Sequence, residues 1–248
     1  MGGLRIDVIR HGVLLVGLTL ATTTVRAQEW GGAIGYGSDN VYRGVSLSSG
    51  QPAWLADLHY RGSDWTFGVG ATQERPPFQS TGAQVTLYAD RHWQLDDDWS
   101  AKVGIVHYES PWNVWRDELR YNDLTAAIGW RGRWRLSVAL SPDTPGIFSP
   151  EGTKKGFATS TEISYAQPIR GRLGANAGLG YRHVDVSSIS ARYPIAGLSY
   201  GYASIGLSYG VGDVYIYTSL LWSSPDALSY NTGTRDHSRW VTTVIWSF

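Results

Sequence analysis

Histidines close in sequence to an acid or a hydroxyl are the residues of this chain that could support acid–base chemistry. A hydrolytic site needs a nucleophile beside a general base, and residues two apart in a β-strand lie on the same face. Three pairs come into question: Asp90 with His92, His183 with Asp185, and His237 with Ser238. The members of the third pair are adjacent, so they would point to opposite faces of a strand. Isolated pairs at strand ends are more often interface or loop residues, and we expect no enzyme.

The composition excludes several other kinds of site. None of the 248 residues is a cysteine, which excludes disulfides, cysteine-ligated zinc, iron–sulfur clusters and a cysteine nucleophile. The 21 basic residues balance 21 acidic ones, whereas a nucleic-acid-binding protein normally has a basic surplus. Three acids at 96–98 could bind calcium, but such a run in a turn is usually only solvated. We therefore expect no cofactor, no bound metal and no nucleic-acid partner.

Residues 1–27 have the features of a secretory signal peptide. Arg5 and Arg10 precede an apolar stretch over 13–21, and small or short residues occupy the usual cleavage positions at 25–27. The stretch is too short for a comfortable transmembrane helix, although an uncleaved anchor is the alternative. A mean hydropathy of -0.21 also excludes a polytopic helical membrane protein. We predict an exported chain whose mature part spans 28–248.

Apolar and polar residues alternate with a period of two along the mature chain, as in β-strands. Most of these segments contain 9 to 14 residues. That length suits the roughly 9–11 residues of a tilted strand that crosses a bilayer, whereas strands of soluble sandwiches have about 5–6. The twelve predicted strands are 32–44, 52–61, 64–73, 82–93, 98–109, 121–131, 133–141, 156–167, 171–184, 199–209, 213–223 and 237–248.

The connections between these segments alternate between short and long. Five tight turns rich in Gly, Pro and Asp alternate with six longer links that hold most of the prolines. Outer-membrane barrels have the same asymmetry, with short periplasmic turns, longer extracellular loops and an even number of strands. Trp and Tyr near many strand ends are typical of membrane-interface girdles. We predict an all-β fold, a transmembrane antiparallel β-barrel of about 12 strands; a secreted β-sandwich is the alternative.

The last predicted strand carries a further indication of an outer-membrane location. Trp240, Thr242, Val244, Trp246 and Phe248 lie on one face, and Phe248 is the last residue. This pattern resembles the carboxy-terminal signal of bacterial outer-membrane proteins. The resemblance implies that Trp246 and Phe248 serve as an assembly signal for the barrel-assembly machinery, and that outer-membrane lipid surrounds the folded chain.

The polar face of the strands would line the lumen if the apolar face contacts lipid, because a central Arg or Lys facing lipid costs about 2–4 kcal/mol. The candidate pore-lining residues are Asp39, Arg43, Asp57, His59, Tyr88, Asp90, His92, Lys102, Arg135, Glu162, Asn176, Arg182, Tyr202, Tyr215 and Tyr217. Their charges could filter solutes in a water-filled pore. Alternatively, salt bridges and tyrosines could fill the lumen, since twelve strands lie between the roughly eight of a filled barrel and the sixteen of an aqueous channel.

Two groups of charges invite a more specific interpretation. Asp39 and Arg43 are four apart in the first predicted strand, so their side chains would share a face. They could form a constriction, or an ion pair, with each other or with a neighbouring strand, that fixes the register of the barrel. The arginines of 131–135, together with Arg182, could favour anions. Arg131 and Arg133 flank a turn, however, and could lie at the periplasmic headgroups instead.

The most specific motifs lie within residues 33–70. They are Ser38-Asp39-Asn40-Val41-Tyr42-Arg43-Gly44-Val45-Ser46, then Gln51-Pro52-Ala53 with Ala56-Asp57-Leu58-His59-Tyr60, then Trp65-Thr66-Phe67-Gly68-Val69. These motifs resemble the opening strands of the TorF family of porins, in which Ser-Asp-Tyr-x-Phe-Arg-Gly-x-Ser is usual. Asn40 stands where that family has an aromatic residue. The resemblance implies an outer-membrane barrel that acts as a porin, and it names no solute.

The sequence therefore predicts a bacterial outer-membrane porin through which small polar or charged solutes diffuse passively. One alternative is a non-conducting structural or adhesive barrel that binds a partner through its proline-rich outer loops. The other is an outer-membrane lipid hydrolase, although the chain has no His-x-Ser-Asn-Gly run of the phospholipase kind.

Overall fold

The computed structural model describes residues 29–75, 81–113, 119–144, 155–185, 198–224 and 237–248. Within these ranges twelve strands pair antiparallel with their neighbours, and the first pairs with the last, so the sheet closes into a barrel. A short hairpin, β2–β3, stands apart from the barrel sheet. The strands are β1 Glu29–Gly37, β2 Val41–Tyr42, β3 Val45–Ser46, β4 Ala53–Arg61, β5 Trp65–Glu74, β6 Gly82–Gln94, β7 Trp99–Glu109, β8 Tyr121–Trp130, β9 Trp134–Thr144, β10 Gly156–Arg170, β11 Leu173–Asp185, β12 Leu198–Val211, β13 Val214–Ser223 and β14 Ser238–Ser247.

The predicted all-β barrel is confirmed, and eleven of the predicted strands agree with observed ones to within three residues at each end. The first prediction, 32–44, is wrong in its second half, because β1 ends at Gly37 and the chain then leaves the barrel wall. The predicted signal peptide lies outside the described residues, and so do parts of the predicted outer loops. Among the residues described, no helix is both long and apolar enough to cross a membrane.

The outer surface of the barrel is apolar because alternate side chains of each strand point away from the axis. Leu179 and Ile205 are 60% and 64% exposed, as residues that face lipid would be. One end of the barrel carries the five short turns together with Glu29 and Phe248, and we call it the turn end. The opposite end, where the longer connections lie, is the loop end.

An aromatic girdle surrounds the turn end. Outward-facing rings contact each other either across adjacent strands or between residues two apart in the sequence, with centroid separations from 4.6 to 6.1 Å. The pairs are Trp30–Tyr60, Trp65–Phe67, Trp99–Trp130, Trp134–Tyr165 and Trp246–Phe248. Amphipathic rings at this height are characteristic of a membrane–water interface.

The barrel closes where β1 pairs with β14. Gly32 and Phe248 exchange two backbone hydrogen bonds of 2.9 and 3.0 Å. The Phe248 ring lies directly over Gly32, where a Cβ atom would approach its Cζ to 2.7 Å. Phe248 and Trp246 remain 58% and 49% exposed on the outer surface.

Residues 38–52, which connect β1 to β4, fold into the barrel from the loop end, and we call them the inner hairpin. Val41, Tyr42 and Arg43 are only 5%, 8% and 4% exposed, although they belong to a connecting segment. Tyr42 packs on Val106 and Tyr108 of β7. The inner hairpin therefore reaches from the β1–β4 wall into the lumen.

Candidate functional site

The inner hairpin turns through only two residues. Val41 pairs with Ser46 in the short β2–β3 ladder, and the turn residues Arg43 and Gly44 have φ angles of 48° and 78°. Two successive positive φ angles define a type I′ turn, which matches the twist of a two-strand ribbon. A Cβ atom at Gly44 would also lie 2.6 Å from Cβ of Tyr202, so glycine is needed here for both conformation and space.

The base of the inner hairpin is held by the carboxylate of Asp39. Its Oδ1 accepts hydrogen bonds from Ser46 Oγ at 2.6 Å and Ser48 Oγ at 2.7 Å. Its Oδ2 accepts one at 2.9 Å from Nη1 of Arg239 on β14. Ser48 Oγ in turn accepts the backbone N–H of Asn40 at 2.9 Å. One buried carboxylate thus joins both arms of the hairpin to the last strand of the barrel.

The tip of the inner hairpin binds a second carboxylate, Asp123 of β8, whose side chain is fully buried. Nη2 of Arg43 donates to its Oδ2 at 2.7 Å, and the hydroxyl of Tyr42 donates to the same oxygen at 3.1 Å. Ser141 Oγ donates a short hydrogen bond to Oδ1. Burial raises the pKa of Tyr42, so its hydroxyl group stays protonated and can donate to Asp123. Because that proton is directed at Asp123, the hydroxyl of Tyr108, 3.0 Å away, donates to the Tyr42 oxygen.

Apolar contacts support both sides of the inner hairpin. Tyr42 packs in a cluster with Tyr108 and Tyr121, whose rings stack at a centroid distance of 4.4 Å. On the other side, Val41 packs against Leu221 of β13 and Val241 of β14. Apolar contacts therefore hold the two sides of the hairpin, and carboxylates hold its base and tip. In this structure the hairpin is a fixed part of the lumen.

The prediction that Asp39 and Arg43 occupy one strand and share a face is wrong. Both residues follow the end of β1, and Arg43 adopts the left-handed conformation of a turn. Each forms an ion pair with a barrel strand, Asp39 with Arg239 and Arg43 with Asp123. The pairing of Asp39 with β14, the neighbour of β1, corresponds to one of the alternatives that the sequence left open.

Below the inner hairpin, three of the candidate residues form one hydrogen-bonded group on β4 and β6. Asp57 Oδ1 lies 2.7 Å from Nδ1 of His59, and Asp57 Oδ2 accepts the hydroxyl of Tyr88 at 2.8 Å. His59 is only 6% exposed, and its imidazole lies against Gly31 of β1. The carboxylate therefore has both oxygens satisfied by side chains of the barrel interior.

Other charged candidates continue along the same wall toward the turn end. Lys102 Nζ lies 3.4 Å from Oδ2 of Asp90, and Arg135 lies within electrostatic range of both Asp90 and Glu162. Glu162 accepts the hydroxyl of Tyr202 at 3.0 Å. These residues alternate in sign, so oppositely charged groups compensate one another along this part of the wall.

The remaining candidates divide the lumen into two unlike halves. Apart from those of the inner hairpin and Arg239, the charged side chains discussed so far belong to β4–β10, and His92 on β6 lies in the field of Asp90. Asn176, Tyr215 and Tyr217 belong to β11 and β13, where Tyr217 is 2% exposed and packs with Ala33 and Ile245. The predicted pore-lining residues placed by this comparison are His92, Asn176, Tyr215 and Tyr217. The β4–β10 wall is thus charged, whereas the β11–β14 wall is largely neutral apart from Arg182 and Arg239.

The arginines of 131–135 and Arg182 do not form one cluster. Arg131 is exposed in a turn at the turn end, where it pairs with Asp98 at 3.2 Å and lies over Trp130. Arg182 lies near the loop end of β11, at the opposite end of the barrel. The alternative that places Arg131 at the membrane interface agrees with this position.

The three histidine pairs that suggested hydrolysis differ in their surroundings. Asp90 is engaged by Lys102, as described above. Nδ1 of His183 lies 2.7 Å from Oγ of Ser199, the residue opposite it on β12. His237 and Ser238 are both exposed at the start of β14. Within the described ranges, no three His, Asp or Glu side chains converge as a metal ion would require.

No family model matches the sequence, and no curated protein matches it either. The barrel itself superposes on two solved porins. For the NanC porin the TM-score is 0.53 at 12% sequence identity, covering 89% of this chain and 99% of that chain. For the KdgM porin the TM-score is 0.51 at 11% identity, covering 88% and 99%. This chain has the fold of these porins. At such low identity the likeness concerns architecture, and it does not extend to a solute.

Proposed function

We propose that this protein is a bacterial outer-membrane channel through which small polar or charged solutes diffuse passively. The observation that carries the proposal is a closed barrel with an apolar outer surface and a charged lumen, narrowed by a hairpin that the barrel wall holds in place. A closed sheet satisfies every backbone hydrogen bond internally, as a bilayer requires, and an apolar outer surface is favourable against lipid rather than water.

The inner hairpin is the constriction in this proposal. Its residues contact β5, β7, β8 and β12–β14. Solutes therefore pass through the part of the lumen that the hairpin leaves open. Fixed charges on both the hairpin and the wall then filter solutes by size and charge. The resemblance of residues 38–46 to the TorF porins fits this role, since those residues form the hairpin.

The same proposal includes the export of the chain and its assembly in the outer membrane. The signal peptide at 1–27 directs the chain to the envelope of a Gram-negative bacterium. Trp246 and Phe248 at the closing strand serve as the signal for the barrel-assembly machinery, and outer-membrane lipid covers the apolar surface of the folded barrel.

Single-channel recording of the refolded mature protein tests the channel. We expect discrete conductance steps, and a larger step in a variant whose residues 39–51 are replaced by a short Gly-Ser linker. Slower mobility of the heated than of the unheated protein on SDS gels confirms that each sample is folded. A silent bilayer with folded protein, for both the wild type and the variant, would contradict the channel and favour a non-conducting structural or adhesive barrel.

A further inference from the structure

The lumen beside the tip of the inner hairpin contains an excess of positive charge. Arg43, Arg182 and Asp123 are 4%, 9% and 0% exposed. Asp123 pairs with Nη2 of Arg43, whereas Nη1 of Arg43 is buried and has no hydrogen-bond partner among the described residues. Glu162 lies in the field of both Arg43 and Arg135. Three guanidinium groups therefore face two carboxylates, and the local balance is one positive charge.

Among the described residues, only hydroxyl groups bind the guanidinium of Arg182. Its Nη1 lies 3.3 Å from Ser160 Oγ, and its Nη2 lies 3.4 Å from Thr144 Oγ1. In the described part of the chain, no Asp or Glu forms an ion pair with it. Both distances are longer than the usual range of about 2.7–3.2 Å for N–H···O hydrogen bonds. The two hydroxyls accept from Arg182 and keep their own protons to donate to another group.

Both arginines border the same space. In the barrel register, Arg182 lies opposite Tyr200 on β12 and opposite Ser160 on β10. The charges of Arg43 and Arg182 both act on the phenols of Tyr42, Tyr121 and Tyr200. Ser141, which binds Asp123, pairs with Ala158 of β10, two residues from Ser160, which binds Arg182. The partners of the two guanidinium groups are therefore neighbours on the wall from β8 to β11.

A buried cation without a counter-charge is unfavourable by several kcal/mol, so buried charges are normally paired. We propose that this region is a binding site for a small anion, a monovalent carboxylate that bridges Nη1 of Arg43 and the guanidinium of Arg182. A carboxylate fits the planar fork of a guanidinium with two parallel hydrogen bonds. A single negative charge neutralises the local excess, whereas a dianion would be repelled by Asp123.

The proposal rests on the channel function for its place in a permeation path, but the binding itself can be measured without conduction. The probe is sodium acetate, compared with sodium chloride at the same ionic strength, on the full mature protein folded in detergent. We expect acetate to raise the temperature at which the folded gel band is lost, because a ligand that binds only the folded state stabilises it. Arg182→Gln removes the increase, and Arg182→Lys retains part of it.

Reversal potentials in a potassium acetate gradient provide the second measurement. We expect an acetate-selective wild type, and a permeability ratio of acetate to potassium about tenfold lower in Arg182→Gln, from the loss of one charge-assisted interaction. The matched control is Arg133→Gln, an exposed arginine at the turn end, which leaves both measurements unchanged.

The two measurements separate the two proposals. Acetate stabilisation that depends on Arg182 in a protein that never conducts would support the anion site and contradict the channel. A conducting protein that acetate does not stabilise, or that it stabilises equally in Arg182→Gln, would overturn the anion site. A conducting wild type that selects potassium would also overturn it.

Discussion

Replacing Asp123 with asparagine tests whether charge at the tip holds the inner hairpin in the lumen. The carboxylate accepts hydrogen bonds from Arg43, Tyr42 and Ser141, and its side chain is fully buried. Asparagine keeps the shape but removes the charge, and its amide presents N–H donors to groups that are themselves donors. Arg43 is then left buried without a counter-ion.

Removing one partner of a buried ion pair typically costs about 3–5 kcal/mol. At about 1.36 kcal/mol per decade, the ratio of docked to undocked hairpin falls by roughly two to four orders of magnitude. Single-channel recording measures this ratio, because the undocked state has the wider lumen. We expect Asp123→Asn to show frequent transitions to a larger conductance that the wild type visits rarely.

Two further variants make this test specific. Asp98→Asn removes an exposed ion pair with Arg131 at the turn end, which is worth about 0–1 kcal/mol, and leaves the recording unchanged. Arg43→Gln combined with Asp123→Asn removes both charges of this pair, so neither is left buried without the other, and it restores much of the docked state. If folded Asp123→Asn gives recordings identical to those of the wild type, the ion pair does not hold the hairpin and the reasoning fails.

Two other predictions concern the same hairpin. Gly44→Ala combines a positive φ with a clash, whereas Gly212→Ala has a similar φ of 59° and nothing within 4 Å; we expect the first to increase the wide conductance state and the second to leave it unchanged. Equal recordings from the two variants would show that the close contact is unimportant. Tyr108→Phe removes the hydroxyl that donates to Tyr42, which weakens docking by about 1 kcal/mol, or roughly five- to tenfold. The measurement is the fraction of time in the wide state, and no change there would assign Tyr108 a packing role alone.

The barrel could be predicted from the sequence because each strand carries its own signal. In β5, for example, Trp65, Phe67 and Val69 alternate with Thr66 and Gly68, and this pattern needs no distant partner to be recognised. The tight turns and the aromatic strand ends gave independent support to the same architecture. Eleven strands were therefore predictable from local residues, without knowledge of the register between them.

The inner hairpin could not be predicted, because its residues favour an extended strand. Val41, Tyr42 and Val45 have high strand propensity, and the type I′ turn is formed by Arg43 and Gly44 rather than by the usual Asn-Gly. What removes this segment from the barrel wall is its contact with Asp123, which is 80 residues away in sequence.

The candidate site shows the same division. The period-two alternation predicted which side chains point into the lumen, but it did not predict which of them contact each other. From the sequence we grouped Arg182 with the arginines of 131–135, but Arg182 lies near the loop end of β11. The predicted strand 171–184 and the long link after it already implied that end of the barrel. The functional importance of Asp123 depends on the hairpin, so no local pattern distinguished it from other polar residues of the strands.

The position of the inner hairpin between the first two barrel strands has a consequence for the order of folding. The hairpin is near the beginning of the chain, yet Asp39 binds Arg239, a separation of 200 residues, and Gly44 accepts a hydrogen bond from Ser223 across 179. Contacts of such high contact order form only when the ends of the chain have met. Docking of the hairpin and closure of the β1–β14 seam are therefore parts of one cooperative step, and a barrel that has not received its last strand still has an unfilled interior.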